Sequence, residues 1–225
     1  QMHPTTLVAL RQHMLELLPI CDGRAFANIA HGMAKAGVAS QHEWIVVWEQ
    51  LTGEAAGRVH DLKPQELANM AWACATAGHV TVGFFNTLGV EVARRVKDFN
   101  AQDLSNTAWA FAKAGRDVAE LFAALAGEAE RHVHDFNSQG MANVAWAFAT
   151  AGQEAPALFE ALAQAASHHL SQFNPQGLSN LAWAFAKAQH DTPELFEAIA
   201  REATKHMSKF QPQGLANLAW AFTTS

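Results

Sequence analysis

NPQGLSNLAWAFAKAQ, from Asn174 to Gln189, and DTPELFEAIAREATKHMSKF, from Asp191 to Phe210, form the unit on which the rest of the chain is built. Asn174 followed by Pro175 reads as a helix N-cap with proline at the first helical position. At about 100° per residue, Leu178, Ala182 and Phe185 fall on one side of that helix. Gln176, Asn180, Trp183 and Lys187 fall close to the opposite side. The flanks carry Gly177, Ala184 and Ala188 on one edge, and Ser179 and Ala186 on the other. The second segment opens on Asp191, Thr192, Pro193 and Glu194, another cap followed by proline and an acid. Its apolar stripe is Leu195, Ile199 and Met207, with Phe196 beside it; sister copies repeat Phe122, Leu125 and Val133. The unit therefore predicts two helices, A and B. Its small flanks let neighbouring A helices approach, and its Leu/Ala/Phe stripe faces the B layer.

The unit repeats. Trp72, Trp109, Trp146, Trp183 and Trp220 stand 37 residues apart. Asn69, Asn106, Asn143, Asn180 and Asn217 precede them by three residues, and Gln65, Gln102, Gln139, Gln176 and Gln213 keep the same period. Sister copies end helix A near Gly115 or Gly152, as expected of a glycine C-cap. A divergent copy, FANIAHGMAKAG from Phe26 to Gly37, puts His31 where the others put Trp, and four extra residues separate it from the next. A fixed period of this length predicts stacked supersecondary units. The fold class is thus all-α, an α-solenoid of stacked helix pairs forming a superhelix, with twelve helices. The single array 1–225 divides into a partial repeat at 1–21, a divergent one at 22–62, full repeats at 63–99, 100–136, 137–173 and 174–210, and a partial repeat at 211–225. Neither end carries a polar capping repeat, so a fragment of a longer chain is expected.

Composition narrows the class. Apolar residues make up 50% of the 225, which is ample for a core. The formal charge of −6 excludes a binder that works by bulk positive charge, so any contact with nucleic acid must come from local patches. Cys21 and Cys74 cannot build a disulfide framework and read as small buried residues. No apolar run reaches membrane-spanning length, and no signal peptide is visible.

The polar side of helix A admits two readings. An Asn in every copy satisfies a loop or neighbouring helix, or it offers its amide to a ligand. Trp wedges on the flank with its indole N–H satisfied, or it presents a face for stacking. One position alternates: Lys35, Thr76, Lys113, Thr150, Lys187, Thr224. Ser105, Ala142, Ser179 and Ala216 alternate with it, as duplication of a two-repeat unit would produce. A second basic feature ends each helix B: Arg94-Arg95, Arg131-His132, His168-His169, Lys205-His206. Such cations complement the helix dipole and pair with Glu91, Glu128 and Glu202 one turn earlier, or they form a ridge that contacts phosphates.

Enzyme chemistry is not expected. There is no GxSxG, no phosphate-cradling glycine loop and no HExxH. His132 with His134, and the pair His168-His169, lack a neighbouring set with recognised zinc-ligand spacing. No cofactor, metal or small-molecule substrate is therefore assigned.

PQGLANLAWAF, from Pro212 to Phe222, and LSNLAWAFAKA, from Leu178 to Ala188, resemble the octotricopeptide and heptatricopeptide repeats of algal and protist organellar proteins. The resemblance covers nearly the whole chain, is weakest before Pro64, and is more specific for helix A than for helix B. It implies an α-solenoid that binds single-stranded RNA in a chloroplast or mitochondrion. The implied roles are RNA processing, stability, translation or ribosome assembly, at one repeat per base with helix A supplying specificity. Carried over by position, the implied contacts are Asn69, Asn106, Asn143, Asn180, Asn217, Lys113 and Lys187. The B-helix ridge of Arg94, Arg95 and Arg131 is the alternative phosphate contact. A reading of another class is a protein-binding scaffold subunit of a large organellar complex. A positive stripe along the A helices favours RNA; an acidic or apolar groove favours protein.

Overall fold

The computed structural model describes residues 4–38, 42–116 and 118–224. Among them are twelve α-helices and no strand, as the helical periodicity requires. The chain divides into two compact units, Gln1–Arg95 and Val96–Ser225.

The first unit holds α1 (Pro4–Leu17), α2 (Gly23–Lys35), α3 (His42–Gly57), α4 (Pro64–Ala77) and α5 (Val82–Arg95). The A helices α2 and α4 pack on each other; α1, α3 and α5 form the B layer. The second unit holds α6 (Ala101–Lys113), α7 (Ala119–Arg131), α8 (Ser138–Ala151), α9 (Pro156–Ser167), α10 (Pro175–Lys187), α11 (Pro193–Lys205) and α12 (Pro212–Thr224). Here α6, α8, α10 and α12 pack in succession as A helices, with α7, α9 and α11 behind them. Each unit is thus a stack of helix pairs.

Small flanks set the A-helix approach. Ser179, Ala184 and Ala186 of α10 are buried, and a Cβ built on Gly214 of α12 would lie 3.3 Å from the Ser179 hydroxyl oxygen. Leu178, Ala182 and Phe185 are fully buried on the side facing the B layer. Asn100, Asn137 and Asn174 cap their helices through Oδ1, which accepts from the backbone N–H of Asp103 (2.9 Å), Gly140 (2.8 Å) and Gly177 (2.7 Å). The A helices end on a left-handed residue: Gly78, Gly115 and Gly152, with φ of 70°, 63° and 63°. In the next copy Gln189 takes the same position at φ 53°, a conformation that strains a residue with a Cβ.

Two local expectations are corrected. Helix B does not run to Phe210: α11 stops at Lys205, and a 3-10 turn, Met207–Lys209, follows. Equivalent turns follow the other B helices, and their first residues, among them Val133 and Leu170, are buried because α9 and α11 pack over them. Met207 opens the turn after α11 and is 48% exposed. Thr192 is the N-cap residue of α11, but its side chain caps nothing; its hydroxyl is buried without a partner, and Pro193 alone sets the start. Cys74 is buried as expected, and burial pushes its thiol up to about 12, which leaves it a packing residue. No helix of the described residues is long and apolar enough to cross a membrane.

Candidate nucleic-acid interface

Helix A brings its polar positions into one file because Gln, Asn, Trp and Lys or Thr follow at i, i+4, i+7 and i+11. In the second unit Gln102, Gln139, Gln176 and Gln213 are exposed, and Asn106, Asn143, Asn180 and Asn217 are half-buried. In the first unit Asn69 is half-buried and Gln65 exposed. Among the described residues, the side-chain amides of Asn69, Asn106, Asn143 and Asn180 bond no other group of the chain. Asn217 differs, since its Oδ1 accepts from Gln213 Nε2 at 3.0 Å. The alternative in which each Asn satisfies a loop is therefore not the arrangement here; loop capping falls instead to Asn100, Asn137 and Asn174.

Successive A helices enclose polar niches. Gln102 and Asn106 of α6 face Gln139 and Asn143 of α8 across a niche of about 470 Å³, edged by His132 and Asp135. Gln139 and Asn143 then face Gln176 and Asn180 of α10 across a smaller one of about 140 Å³. His132 donates or accepts through Nδ1 with Asp135 Oδ2 at 2.8 Å, and that bond, with Glu128 nearby, pushes its pKa up. Protonated His132 forms an ion pair with Asp135 at the niche rim.

The tryptophans lie one helical turn beyond the asparagines. Trp72, Trp109, Trp146 and Trp183 are half-buried, and Trp220 is 41% exposed. They both pack and present an edge. Trp109 and Trp146 lie 6.4 Å apart between ring centroids, and Trp183 and Trp220 lie 6.3 Å apart. In the first unit His31 stacks on Trp72 at 5.0 Å, and Lys35 Nζ sits 5.3 Å from the centre of the same ring. Lys35 is thus in register, because the extra residues of the divergent copy fall after it.

Sequence reading missed two members of the file. Asn28 and Arg24, both exposed on α2, occupy the positions of Asn69 and Gln65. Asn28 precedes His31 by three residues, as Asn69 precedes Trp72, and that offset is the signal that identifies it.

Charge separates between the layers of the second unit. Its A helices hold one carboxylate, Asp103, which is buried and whose pKa burial raises, against the exposed Lys113 and Lys187. Neither lysine has an ion-pair partner among the described residues. Its B helices hold seven glutamates against Arg131, Arg201 and Lys205. The negative charge of the chain is therefore concentrated away from the amide file in this unit.

The alternative basic ridge is built differently. Glu91 is 1% exposed and binds Arg94 (2.6 Å), Arg95 (3.3 Å) and His60 Nδ1 (2.7 Å). Arg95 also donates to the carbonyl of Leu62 at 2.8 Å, which ties α5 to the preceding turn. Arg131 pairs with the buried Glu128 at 2.5 Å, and Lys205 with the buried Glu202 at 2.6 Å. Each cation neutralises a carboxylate that the fold has taken out of water, so its charge is already engaged. The predicted i,i+4 contacts are present for Arg95, His132 and His206, and the i,i+3 cation is the closer partner in each cluster.

No curated protein matches the chain. The sequence model of the family described as RNA-editing substrate-binding complex 6 protein matches residues 8–224, so the chain belongs to that helical family.

Proposed function

We propose that the chain binds single-stranded RNA along its A helices and acts by binding, not by catalysis, in organellar RNA processing. The observation that carries this reading is the file of Asn and Gln amides on the A helices of the second unit, where among the described residues only Gln213 and Asn217 bond each other and the exposed charges are both lysines. Asn and Gln amides each offer two donors and two acceptor lone pairs, which suits base edges. Half-exposed indoles offer stacking at ~1–3 kcal/mol per base. Asn69, Asn106, Asn143, Asn180 and Asn217 are the base-facing residues, with Lys113 and Lys187 as phosphate contacts. Arg94 and Arg131 are secondary, and Arg95 is a structural residue. Membership of a family described as an RNA-editing substrate-binding complex protein supports the RNA reading. The likeness of helix A to octotricopeptide and heptatricopeptide repeats supports a place in the chloroplast or mitochondrion.

A protein-facing role has its own observation. Val46, Val82 and Val90 are 53%, 52% and 66% exposed on the B helices α3 and α5. A scaffold subunit would dock a protein there and leave the A helices free. An electrophoretic shift with a single-stranded RNA pool at low salt tests the principal reading. Wild-type protein should shift the pool, and Lys113→Glu with Lys187→Glu should abolish the shift while the melting curve stays unchanged. If the double variant still shifts RNA and Arg94→Glu with Arg131→Glu does not, the B-helix ends carry the contact. If wild-type protein shifts nothing, the scaffold reading stands.

A further inference from the structure

Six amides line the niche of about 470 Å³ between α6 and α8: Asn100, Gln102 and Asn106 from one helix, Asn137, Gln139 and Asn143 from the other. No lysine or arginine lines it, and its titratable members His132 and Asp135 bond each other at 2.8 Å. The niche therefore suits a neutral, hydrogen-bonding ring, and its volume lies in the range of roughly 300–1,000 Å³ typical of ligand sites. Four of the amides can turn. Among the described residues, the side chains of Gln102, Asn106, Gln139 and Asn143 bond no other group, so each can present either its oxygen or its NH2. The other two cannot turn. Asn100 and Asn137 are N-caps, and their Oδ1 atoms accept from the backbone N–H of Asp103 at 2.9 Å and Gly140 at 2.8 Å. A backbone N–H only donates, so Oδ1 must face it and Nδ2 must face away; reversing the amide would give up the cap. The bare Cα of Gly140 leaves room for this arrangement, since an added Cβ would stand 3.4 Å from Asn137 Oδ1. Among the described residues no acceptor takes the Nδ2 hydrogens of Asn100 or Asn137. Both side chains are fixed donors at the edge of the niche.

We propose that the α6–α8 niche selects a carbonyl-bearing base, uracil or guanine, over cytosine or adenine, and that the capping residues Asn100 and Asn137 make the choice. This rests on the RNA-binding reading above. Single-stranded RNA is recognised by hydrogen bonds to the edges of unstacked bases. Uracil carries O4 where cytosine carries an amino group, and guanine carries O6 where adenine carries one. A carbonyl oxygen accepts from a fixed Nδ2. An exocyclic amino group meets the same Nδ2 donor to donor, and both groups lose the hydrogen bonds they made with water. Asn106 and Asn143, with Gln102 and Gln139, turn to fit whatever edge remains, so they add affinity without discriminating. Selectivity comes from the two amides that the helix caps have pinned.

The test compares oligo(U) with oligo(C) of equal length at one salt concentration, because the two share ring size and backbone and differ at the edge. Wild-type protein should bind oligo(U) roughly fivefold or more tightly than oligo(C), the scale of a hydrogen bond made against one lost. The variant Asn100→Asp with Asn137→Asp keeps both caps, since aspartate offers the same Oδ1 to the backbone, and it puts an acceptor where each donor stood. The readout is the ratio of the two affinities, because the added charge weakens both strands alike. In the double variant the ratio should fall to about one or invert, an acceptor in place of each donor now favouring the amino edge. Asn174→Asp changes a cap outside this niche and should leave the ratio within about twofold of wild type, too little for a lost hydrogen bond. Thermal melts check that all variants fold. The selectivity is wrong, and RNA binding survives, if wild-type protein binds oligo(C) as well as oligo(U), if the double variant keeps the wild-type ratio, or if Asn174→Asp erases it. If no RNA binds at all, the RNA-binding reading itself falls, and this inference with it.

Discussion

Phe159 of α9 meets Phe185 of α10 edge to face, with ring centroids 5.0 Å apart and planes at 79°. Phe122 meets Phe148 in the same way, at 5.2 Å and 88°, and Phe196 meets Phe222 at 5.7 Å and 77°. In the second unit the contact recurs because a B-helix phenylalanine of one repeat faces the A-helix phenylalanine of the next. It joins successive repeats and not merely the two helices of one.

Removing one ring therefore loosens a junction. Phe185→Ala should cost ~3–5 kcal/mol in a denaturant melt, because a fully buried ring leaves a cavity that two layers cannot collapse to fill. Asn180→Ala, whose amide bonds nothing among the described residues, should change stability by less than ~0.5 kcal/mol. Equal losses for the two would show that Asn180 is a packing residue and remove it from the binding file.

Gln189 supplies a gain-of-stability test. It holds the left-handed position that glycine occupies in the preceding copies. Relief of ~1–2 kcal/mol of backbone strain is partly offset by the greater freedom of an unfolded glycine. Gln189→Gly should raise stability by ~0.5–1 kcal/mol, and Gly152→Ala should lower it by ~1 kcal/mol. A lower melting temperature for Gln189→Gly would mean that the Gln189 side chain contributes more than its backbone strain costs.

Acid should weaken the first unit through Glu91. Hydrogen bonds from Arg94, chiefly, and from His60 and Arg95 outweigh burial and hold its carboxyl at about 2, against an ordinary value of 4.5. A carboxyl depressed by folding adds stability above its unfolded value and loses it as pH falls towards the folded one. At ~1.4 kcal/mol per unit the shift corresponds to ~3 kcal/mol, and solvent at the exposed Arg94 and His60 side chains reduces this to ~1–2 kcal/mol. Between pH 5 and pH 2, roughly the window these two values set, wild-type protein should lose that much more stability than Glu91→Gln. Identical losses across the window would show that Glu91 is not the acid-sensitive group.

Salt dependence should be shallow. Lys113 and Lys187 are the two exposed cations of the A helices in the second unit, and each contact with a single strand contributes ~0.7 to the slope of log K against log salt. A slope near ~1.4 is expected from those two. Lys113→Gln alone should halve it. A slope several times steeper would place the phosphate contacts on cations outside the A-helix file.

The all-helical fold was legible, because helical periodicity acts on every copy alike. The polar file was legible for the same reason, as was the role of Leu178, Ala182 and Phe185. What sequence could not show depends on neighbours. Val133 lies in a 3-10 turn beyond the end of α7 and is buried where α9 packs against that turn. Thr192 has the chemistry of a cap but not the geometry. The pairing of Trp109 with Trp146, and the unequal niches beside them, involve copies whose Trp positions are identical in sequence.

The four extra residues of the divergent copy bear on how such a protein can change. Asn28 to Lys35 and Asn69 to Thr76 keep the same offset, while α3 runs to 16 residues where α7 and α11 have 13. Length has been added on the B side without moving the A-side phase. Insertions on that side can then accumulate without shifting the A-helix phase. The opposite side keeps a fixed cadence, so one surface of the chain can evolve new attachments while the other continues to measure the same interval.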